Sequence, residues 1–165
     1  MVRMSGTVGT VTIASDGPRR FEAYLAQPST EPGSEKRPAI LVLSDMFGLN
    51  EPIRAVADHY ARRGHTALVP NLFWRSEIPG AIPYDDPQHA KAWARLKALD
   101  LNVVSADMRA ATDWLRAQKL GNGNIEIQLY PGAGHGFFNR TFSPDDVKAV
   151  ETATAHIDRF LRGFK

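Results

Sequence analysis

The amino-acid sequence predicts an α/β fold, with a mostly parallel sheet flanked by helices and an antiparallel hairpin at its N-terminal side. Two patterns predict this class. A strand, a helix and a second strand succeed one another over residues 38–70, the order of a βαβ unit whose strands run parallel in one sheet. Before this unit, two alternating segments flank a turn sequence. Because 43% of the 165 residues are apolar, one core can form, and we expect a single domain over residues 1–165.

The predicted hairpin consists of residues 8–14 and 21–26, in which apolar and polar side chains alternate. The intervening Ser15-Asp-Gly-Pro18 is a cluster of turn residues. We expect these two strands at the edge of the sheet.

The predicted βαβ unit begins at Pro38-Ala-Ile-Leu-Val-Leu43, a continuous apolar run typical of a parallel strand buried on both faces. Glu51-Pro52 then opens a helix that runs to Arg63, since proline suits a first helical turn and Gly64 suits a helix end. Residues 66–70 follow as the second buried strand. Parallel strands bind ligands beyond their carboxyl ends, so we expect the functional site there.

The second half of the chain is predicted to be mainly helical. Residues 74–86 are rich in proline and glycine and form a loop, either a pocket wall or a buried structural excursion. Residues 125–129 alternate as a strand. The predicted helices cover residues 87–99, 102–118 and 143–164, and the middle one has a broad apolar face of Val103, Ala106, Met108, Ala110, Ala111, Trp114 and Leu115. The last helix is expected to dock onto the sheet with one apolar stripe.

Composition narrows the function classes. The 20 basic and 18 acidic side chains are interspersed, so nucleic acid is not an expected partner. The chain has no cysteine, which leaves it no disulfide, thiolate metal site or thiol nucleophile. No apolar run approaches the roughly 20 residues of a membrane span, so we expect no membrane partner and a cytoplasmic protein. The sequence has no phosphate-binding glycine motif and no histidine pair at zinc spacing, so no cofactor is predicted, and it does not indicate an oligomeric state.

The most informative segment is Tyr130-Pro-Gly-Ala-Gly-His-Gly-Phe-Phe138, which places a histidine in a glycine-rich turn after an apolar strand. It resembles the catalytic-histidine loop of the dienelactone hydrolase family. Leu43-Ser-Asp-Met-Phe-Gly-Leu-Asn50 is similar to the loop after the first core strand of that family. Ala67-Leu-Val-Pro-Asn-Leu-Phe-Trp74 resembles the next strand, with Asn71 in place of the family's aspartate.

The resemblance implies an α/β-hydrolase fold and hydrolysis of a small carboxylic ester or lactone with a Cys-His-Asp triad. It makes His135 the general base. Asp45 falls where the family keeps a glutamate near the nucleophile, and the backbone around Met46 falls where related hydrolases supply an oxyanion donor. Arg54 and Arg140 are candidates to hold a substrate carboxylate.

Each of these residues also has a structural alternative. His135 could be a retained loop residue without catalytic use, and Asp45 could only cap the next helix. Arg54 and Arg140 could be solvated surface arginines, and Arg140 falls one position later than the family's arginine.

The sequence departs from the family between the helix ending near residue 118 and the strand at 125. Gly121-Asn-Gly-Asn124 leads directly to that strand, and no Gly-x-Cys-x-Gly or Gly-x-Ser-x-Gly elbow occurs in the chain. Ser44, beside the first motif, is not on an elbow. We therefore expect an internal deletion near residues 120–125 and a truncated hydrolase fold. The alternative function is a non-catalytic remnant or binding module that lacks the nucleophile.

Overall fold

The computed structural model describes residues 8–29, 38–83, 89–120 and 144–162. Within these ranges four strands form one sheet: β1 (Val8–Asp16), β2 (Arg19–Ala26), β3 (Ile40–Leu41) and β4 (Ala67–Pro70). Their order across the sheet is β1-β2-β4-β3. β2 pairs antiparallel with both β1 and β4, whereas β3 and β4 are parallel. The predicted hairpin and parallel pair are confirmed, but β2 lies inside the described sheet and not at its edge.

The helix between β3 and β4 forms where the sequence predicts it. α1 spans Glu51–Arg62, and Asn50 caps it by accepting a hydrogen bond from the Ile53 N–H at 3.2 Å. Gly64 follows the helix with a φ of 89°, a conformation that glycine adopts without strain. Cap and terminal glycine together fix the length of the crossover, and this fixes where β4 begins.

Two further helices follow β4. α2 spans His89–Lys97 and α3 spans Leu101–Ala117, with Asp100 capping α3 through the Asn102 N–H at 2.8 Å. α3 packs on the hairpin side of the sheet. The apolar core there contains Phe21, Ala23, Leu25, Leu68, Trp74, Ala111 and Leu115. The rings of Phe21 and Trp74 stack in it with centroids 5.4 Å apart.

The buried face of α3 differs from the predicted one. Val103 and Ala106 are exposed, and Asp107 takes the buried position one turn before Ala111. Its carboxylate accepts hydrogen bonds from Trp74 Nε1 at 3.0 Å and Arg75 Nη1 at 2.5 Å. A carboxylate can be buried because these two donors replace water.

The first core strand is also less buried than predicted. Residues 40 and 41 are half-buried, and Leu43 is 54% exposed. Hydrogen bonds from Ile40 N to Thr66 O and from Val42 N to Leu68 O, both 2.8 Å, join β3 to β4. Beyond Val42 the chain leaves the sheet, because the following residues form the loop described below.

The chain divides into two compact units, residues 1–123 and 124–165. The second unit contains α4 (Pro144–Arg162), where Ala149, Ala153 and Leu161 are buried and Val147 is exposed. Phe164 and the predicted strand at residues 125–129 lie outside the described residues. The single domain and the docking of α4 stay predictions. No helix in the described ranges is long and apolar enough to cross a bilayer.

Candidate active site

Two loops extend from the carboxyl ends of the parallel strands. The β3 loop is residues 44–50, and the β4 loop is residues 71–83. They meet where the Ile82 N–H donates to the carbonyl of Phe47 at 2.9 Å. Phe47, Ile82 and Ala92 form a small apolar cluster beneath them, against which Met46 packs. The candidate site is therefore assembled at the edge of the sheet that the βαβ order predicts.

The β3 loop is a tight turn organised by Asp45. Its carboxylate accepts the Phe47 N–H at 2.9 Å, and its backbone carbonyl accepts the Gly48 N–H at 3.1 Å. Gly48 has a φ of 75°, which a residue with a side chain rarely adopts. Between these two donors along the chain, the Met46 N–H donates to no acceptor in the described residues. The loop thus leaves one backbone donor available next to two that it uses.

The structure corrects the alternative role of Asp45. Its side chain does not cap α1, because Asn50 performs that function. Asp45 instead shapes the loop that carries the Met46 donor, since its side chain and its carbonyl both close the turn. Ser44 lies at the start of the same loop, and its Oγ is buried with no hydrogen-bond partner in the part of the chain described.

Arg95 of α2 holds the two loops together, and sequence reasoning missed it. Only 6% of the residue is exposed. Nε and Nη2 donate to Met46 O at 2.8 and 2.6 Å, while Nη1 donates to Ile78 O at 2.9 Å and to Gly80 O at 2.7 Å. The guanidinium also lies 4.2 Å from the centre of the Phe73 ring.

The charge of Arg95 is buried at this junction. Burial lowers the pKa of its guanidinium from the ordinary value, and the charge of Asp45 opposes that shift. Four hydrogen bonds to carbonyl oxygens replace the water that the cation loses. The sequence carries no motif for Arg95, and its position three residues after Ala92 on one helix face has meaning only once the structure shows that face to be buried.

Arg54 approaches the β3 loop from α1. Its Nε donates to Leu49 O at 3.1 Å, and its guanidinium carbon lies 5.5 Å from the centre of the Tyr24 ring. Nη1 and Nη2 make no hydrogen bond within the described residues. The Tyr24 hydroxyl donates to Asp58 at 2.8 Å. Arg54 is therefore an exposed surface arginine, as the structural alternative predicts. Its hydrogen bond to Leu49 O nevertheless holds it against the loop and leaves its terminal nitrogens available to an anion.

The pKa of Tyr24, beside Arg54, is shifted from its ordinary value. Burial raises the pKa of its phenol, and the hydrogen bond to Asp58 and the Asp58 charge raise it further, while Arg54 opposes these effects. The phenol therefore stays protonated and keeps donating to Asp58.

The structure brings Asp45, Met46 and Arg54 to one loop. His135 and Arg140 lie outside the described residues. In the described ranges no three histidine, aspartate or glutamate side chains gather as metal ligands would. The β3 loop therefore carries a fixed backbone donor at Met46 and a cation bound to Leu49 O, two groups that suit a carbonyl and a carboxylate.

A donor-bearing loop after a strand of a βαβ unit is the arrangement of an α/β-hydrolase. The family model of the dienelactone hydrolase family matches residues 21–124. The chain belongs to the dienelactone hydrolase family.

Individual relatives agree with this assignment. A protein named "Putative carboxymethylenebutenolidase" from Azospirillum brasilense is 31% identical over 121 residues, 73% of this chain and 48% of its own. The carboxymethylenebutenolidase of Pseudomonas putida is 27% identical over 122 residues, 73% of this chain and 50% of its own. A crystal structure titled "Putative Dienelactone Hydrolase" from Klebsiella pneumoniae superposes with a TM-score of 0.57 at 27% identity, covering 72% of this chain and 46% of that one. The chain spans about half the length of the curated relatives it matches.

Proposed function

We propose that this protein hydrolyses a small carboxylic ester or lactone, with the Met46 N–H as the oxyanion donor. The observation that carries the proposal is that this N–H has no acceptor in the described residues while the peptides on both sides of Met46 are fixed. A donor held in place before substrate arrives needs no reorganisation when charge develops on the carbonyl oxygen. Removing one such donor from a hydrolase costs about 100- to 1000-fold in turnover.

Arg54 supplies recognition in this proposal. Its two terminal nitrogens would bind a carboxylate on the substrate in a bidentate manner, while Nε keeps the side chain on Leu49 O. Arg140 would add a second cation, as the family resemblance suggests. The favoured substrate is therefore an ester or lactone that also carries a free carboxylate.

His135 is the base in the proposed reaction. The sequence has no cysteine and no elbow motif, so we assign water as the nucleophile. His135 takes a proton from water as the oxygen bonds to the carbonyl carbon, and the carbonyl electrons move to the oxygen facing Met46. The tetrahedral intermediate collapses, the ester C–O bond breaks, and the leaving oxygen takes the proton back from the imidazolium.

The test is hydrolysis of p-nitrophenyl acetate by purified protein and a pair of variants at Met46. Met46→Pro removes the N–H and should lower kcat about 100-fold or more, whereas Met46→Ala keeps the donor and should stay within about tenfold of the wild type. His135→Ala should abolish turnover, and His59→Ala, at an exposed position of α1, should not. Circular dichroism confirms folding of each variant. Equal rates for the proline and alanine variants would reject Met46 as the donor.

A non-catalytic binding module is the second candidate, because the absence of cysteine and of the elbow removes the nucleophile that the family uses. It predicts that a small carboxylate binds at Arg54 without ester turnover. Ester turnover by the wild type rejects this candidate, whereas no turnover, together with carboxylate binding that Arg54→Gln weakens in isothermal titration, supports it. On the sequence alone, we also propose an internal deletion near residues 120–125, relative to the family, and a cytoplasmic location.

A further inference from the structure

One buried guanidinium connects the two loops of the candidate site. Arg95 uses three nitrogens to bind three carbonyl oxygens, one in the β3 loop and two in the β4 loop. None of these acceptors belongs to a side chain. The hydrogen bonds of Arg95 therefore fix the course of the backbone directly.

We propose that Arg95 is the positioning residue for the Met46 N–H, and that through it the β4 loop controls the geometry of the oxyanion donor. The inference rests on the proposed function only in that the donor is used on a substrate carbonyl. Arg95 itself touches no reacting atom in this assignment.

The two peptide units on either side of Met46 are planar, so a hydrogen bond to one end of a unit also orients its other end. The Met46 carbonyl and the Phe47 N–H belong to one planar unit, and Arg95 holds its oxygen while Asp45 holds its N–H. The preceding unit contains the Asp45 carbonyl, bound by the Gly48 N–H, and the Met46 N–H itself. With both units held, the two backbone dihedral angles of Met46 are fixed, and so is the direction of its N–H.

Gly48 leaves space for the Arg95 guanidinium beside the β3 loop. A Cβ at this position would lie 3.0 Å from Arg95 Nη2. The β3 loop therefore has a residue without a side chain at a place where a Cβ would crowd the guanidinium. Lysine could not replace arginine here, since a single ammonium cannot reach Met46 O, Ile78 O and Gly80 O in the directions that the planar fork serves.

The test uses Arg95→Lys with selective ¹⁵N-methionine labelling. The chain has four methionines, and Met46→Leu identifies the Met46 cross-peak by its loss. In Arg95→Lys without ligand, the Met46 cross-peak should move by more than its linewidth, while that of Met108 on α3 stays. Arg116→Lys, the same substitution at an exposed position two helical turns after Met108 on α3, should move neither. A Met46 cross-peak in Arg95→Lys that superimposes on the wild type overturns the proposal.

A second pair keeps the proposal testable if Arg95→Lys does not fold. Phe73→Leu removes the ring on which the guanidinium lies and leaves every hydrogen-bond partner in place. It should move the Met46 cross-peak. Phe21→Leu, the same change at a buried phenylalanine that stacks on Trp74, should not. Equal effects of the two variants on Met46 also overturn the proposal.

Kinetics separate this inference from the proposed function. If the wild type hydrolyses the ester, Arg95→Lys should lower kcat about 100-fold with KM within about threefold, because a displaced donor weakens the transition state more than the ground state. If the wild type hydrolyses the ester but the Met46 cross-peak does not move in Arg95→Lys, the role of Arg95 is refuted and the proposed function is not. If the wild type shows no turnover but the Met46 cross-peak moves in Arg95→Lys, the hydrolase function is refuted and the positioning role of Arg95 is supported.

Discussion

The buried carboxylate of Asp107 gives a quantitative test of the core. It accepts from Trp74 Nε1 and Arg75 Nη1, and Arg75 also lies over the indole with its guanidinium carbon 3.8 Å from the ring. Asp107→Asn keeps the shape and can still accept hydrogen bonds, but it removes the negative charge. A hydrogen bond to a charged group is worth about 1 kcal/mol more than a neutral one, so two such bonds give about 2 kcal/mol.

This figure must be reduced, because the Arg75 side chain is 39% exposed and water can solvate it when the carboxylate is lost. We expect Asp107→Asn to lower the free energy of unfolding by about 1–2 kcal/mol. Asp107→Leu should cost more, about 2–4 kcal/mol, since it also leaves the buried Trp74 Nε1 without an acceptor.

The assay is urea unfolding followed by tryptophan fluorescence and circular dichroism. Asp113→Asn on the same helix is the control, because Asp113 pairs with Arg116 at 3.0 Å but its side chain is 71% exposed. The control should change stability by no more than about 0.5 kcal/mol. If Asp107→Asn and Asp113→Asn shift the transition equally, the reasoning from burial is wrong.

Three other perturbations follow from contacts described above. Tyr24→Phe should cost about 1 kcal/mol at neutral pH. Because the raised phenol pKa contributes stability below the unfolded pKa of about 10 and loses it as pH rises through the folded pKa, the difference from wild type should shrink at strongly alkaline pH. Asn71→Asp should cost about 1 kcal/mol in urea unfolding, since its Nδ2 donates to a loop carbonyl at 3.1 Å and a carboxylate cannot donate. Gly48→Ala should lower the thermal midpoint more than Gly17→Ala, because both have positive φ but only Gly48 faces Arg95.

Each of these has a clear contradicting result. A constant difference between Tyr24→Phe and wild type across pH 7–11 would show that the phenol does not couple to Asp58. An unchanged urea midpoint for Asn71→Asp would show that water satisfies the loop carbonyl equally well. Equal thermal shifts for the two glycine variants would mean that backbone conformation alone sets the cost.

The local signals in the sequence predicted most of the described fold. Alternation gave the hairpin, because one face of those strands is buried and the other is not. Pro52 and Gly64 marked the ends of α1 to within one residue at the C-terminal side, since their backbone preferences act locally. The βαβ order predicted that β3 runs parallel to β4, and the structure confirms this pairing.

The errors concern burial, which depends on residues distant in sequence. Asp107 is buried because Trp74 and Arg75, over thirty positions earlier, supply its donors, and no helical periodicity contains that information. For the same reason the helical pattern predicts a buried Val103, which the structure leaves exposed. In α2, for which the sequence predicts only the range, Arg95 is buried and Trp93 is exposed.

The sequence indicates candidate site residues only where a family motif is present. The family resemblance identified Asp45, Met46 and Arg54, and the structure groups them at the β3 loop. It could not identify Arg95, since that side chain binds carbonyl oxygens that every residue possesses. His135 and Arg140 remain predictions of the resemblance.

The contacts of Arg95 have a consequence for how this protein could change. Because the guanidinium binds main-chain oxygens, exchanging the side chains at positions 46 and 78 removes none of its hydrogen bonds, and at position 46 only the packing on the small apolar cluster changes. A Cβ at Gly80 would meet no atom within 4 Å, so that position should accept substitution as well. A mutant library at these three sites, with Gly48 and Arg95 kept constant, would explore new substrate preferences on an unaltered backbone.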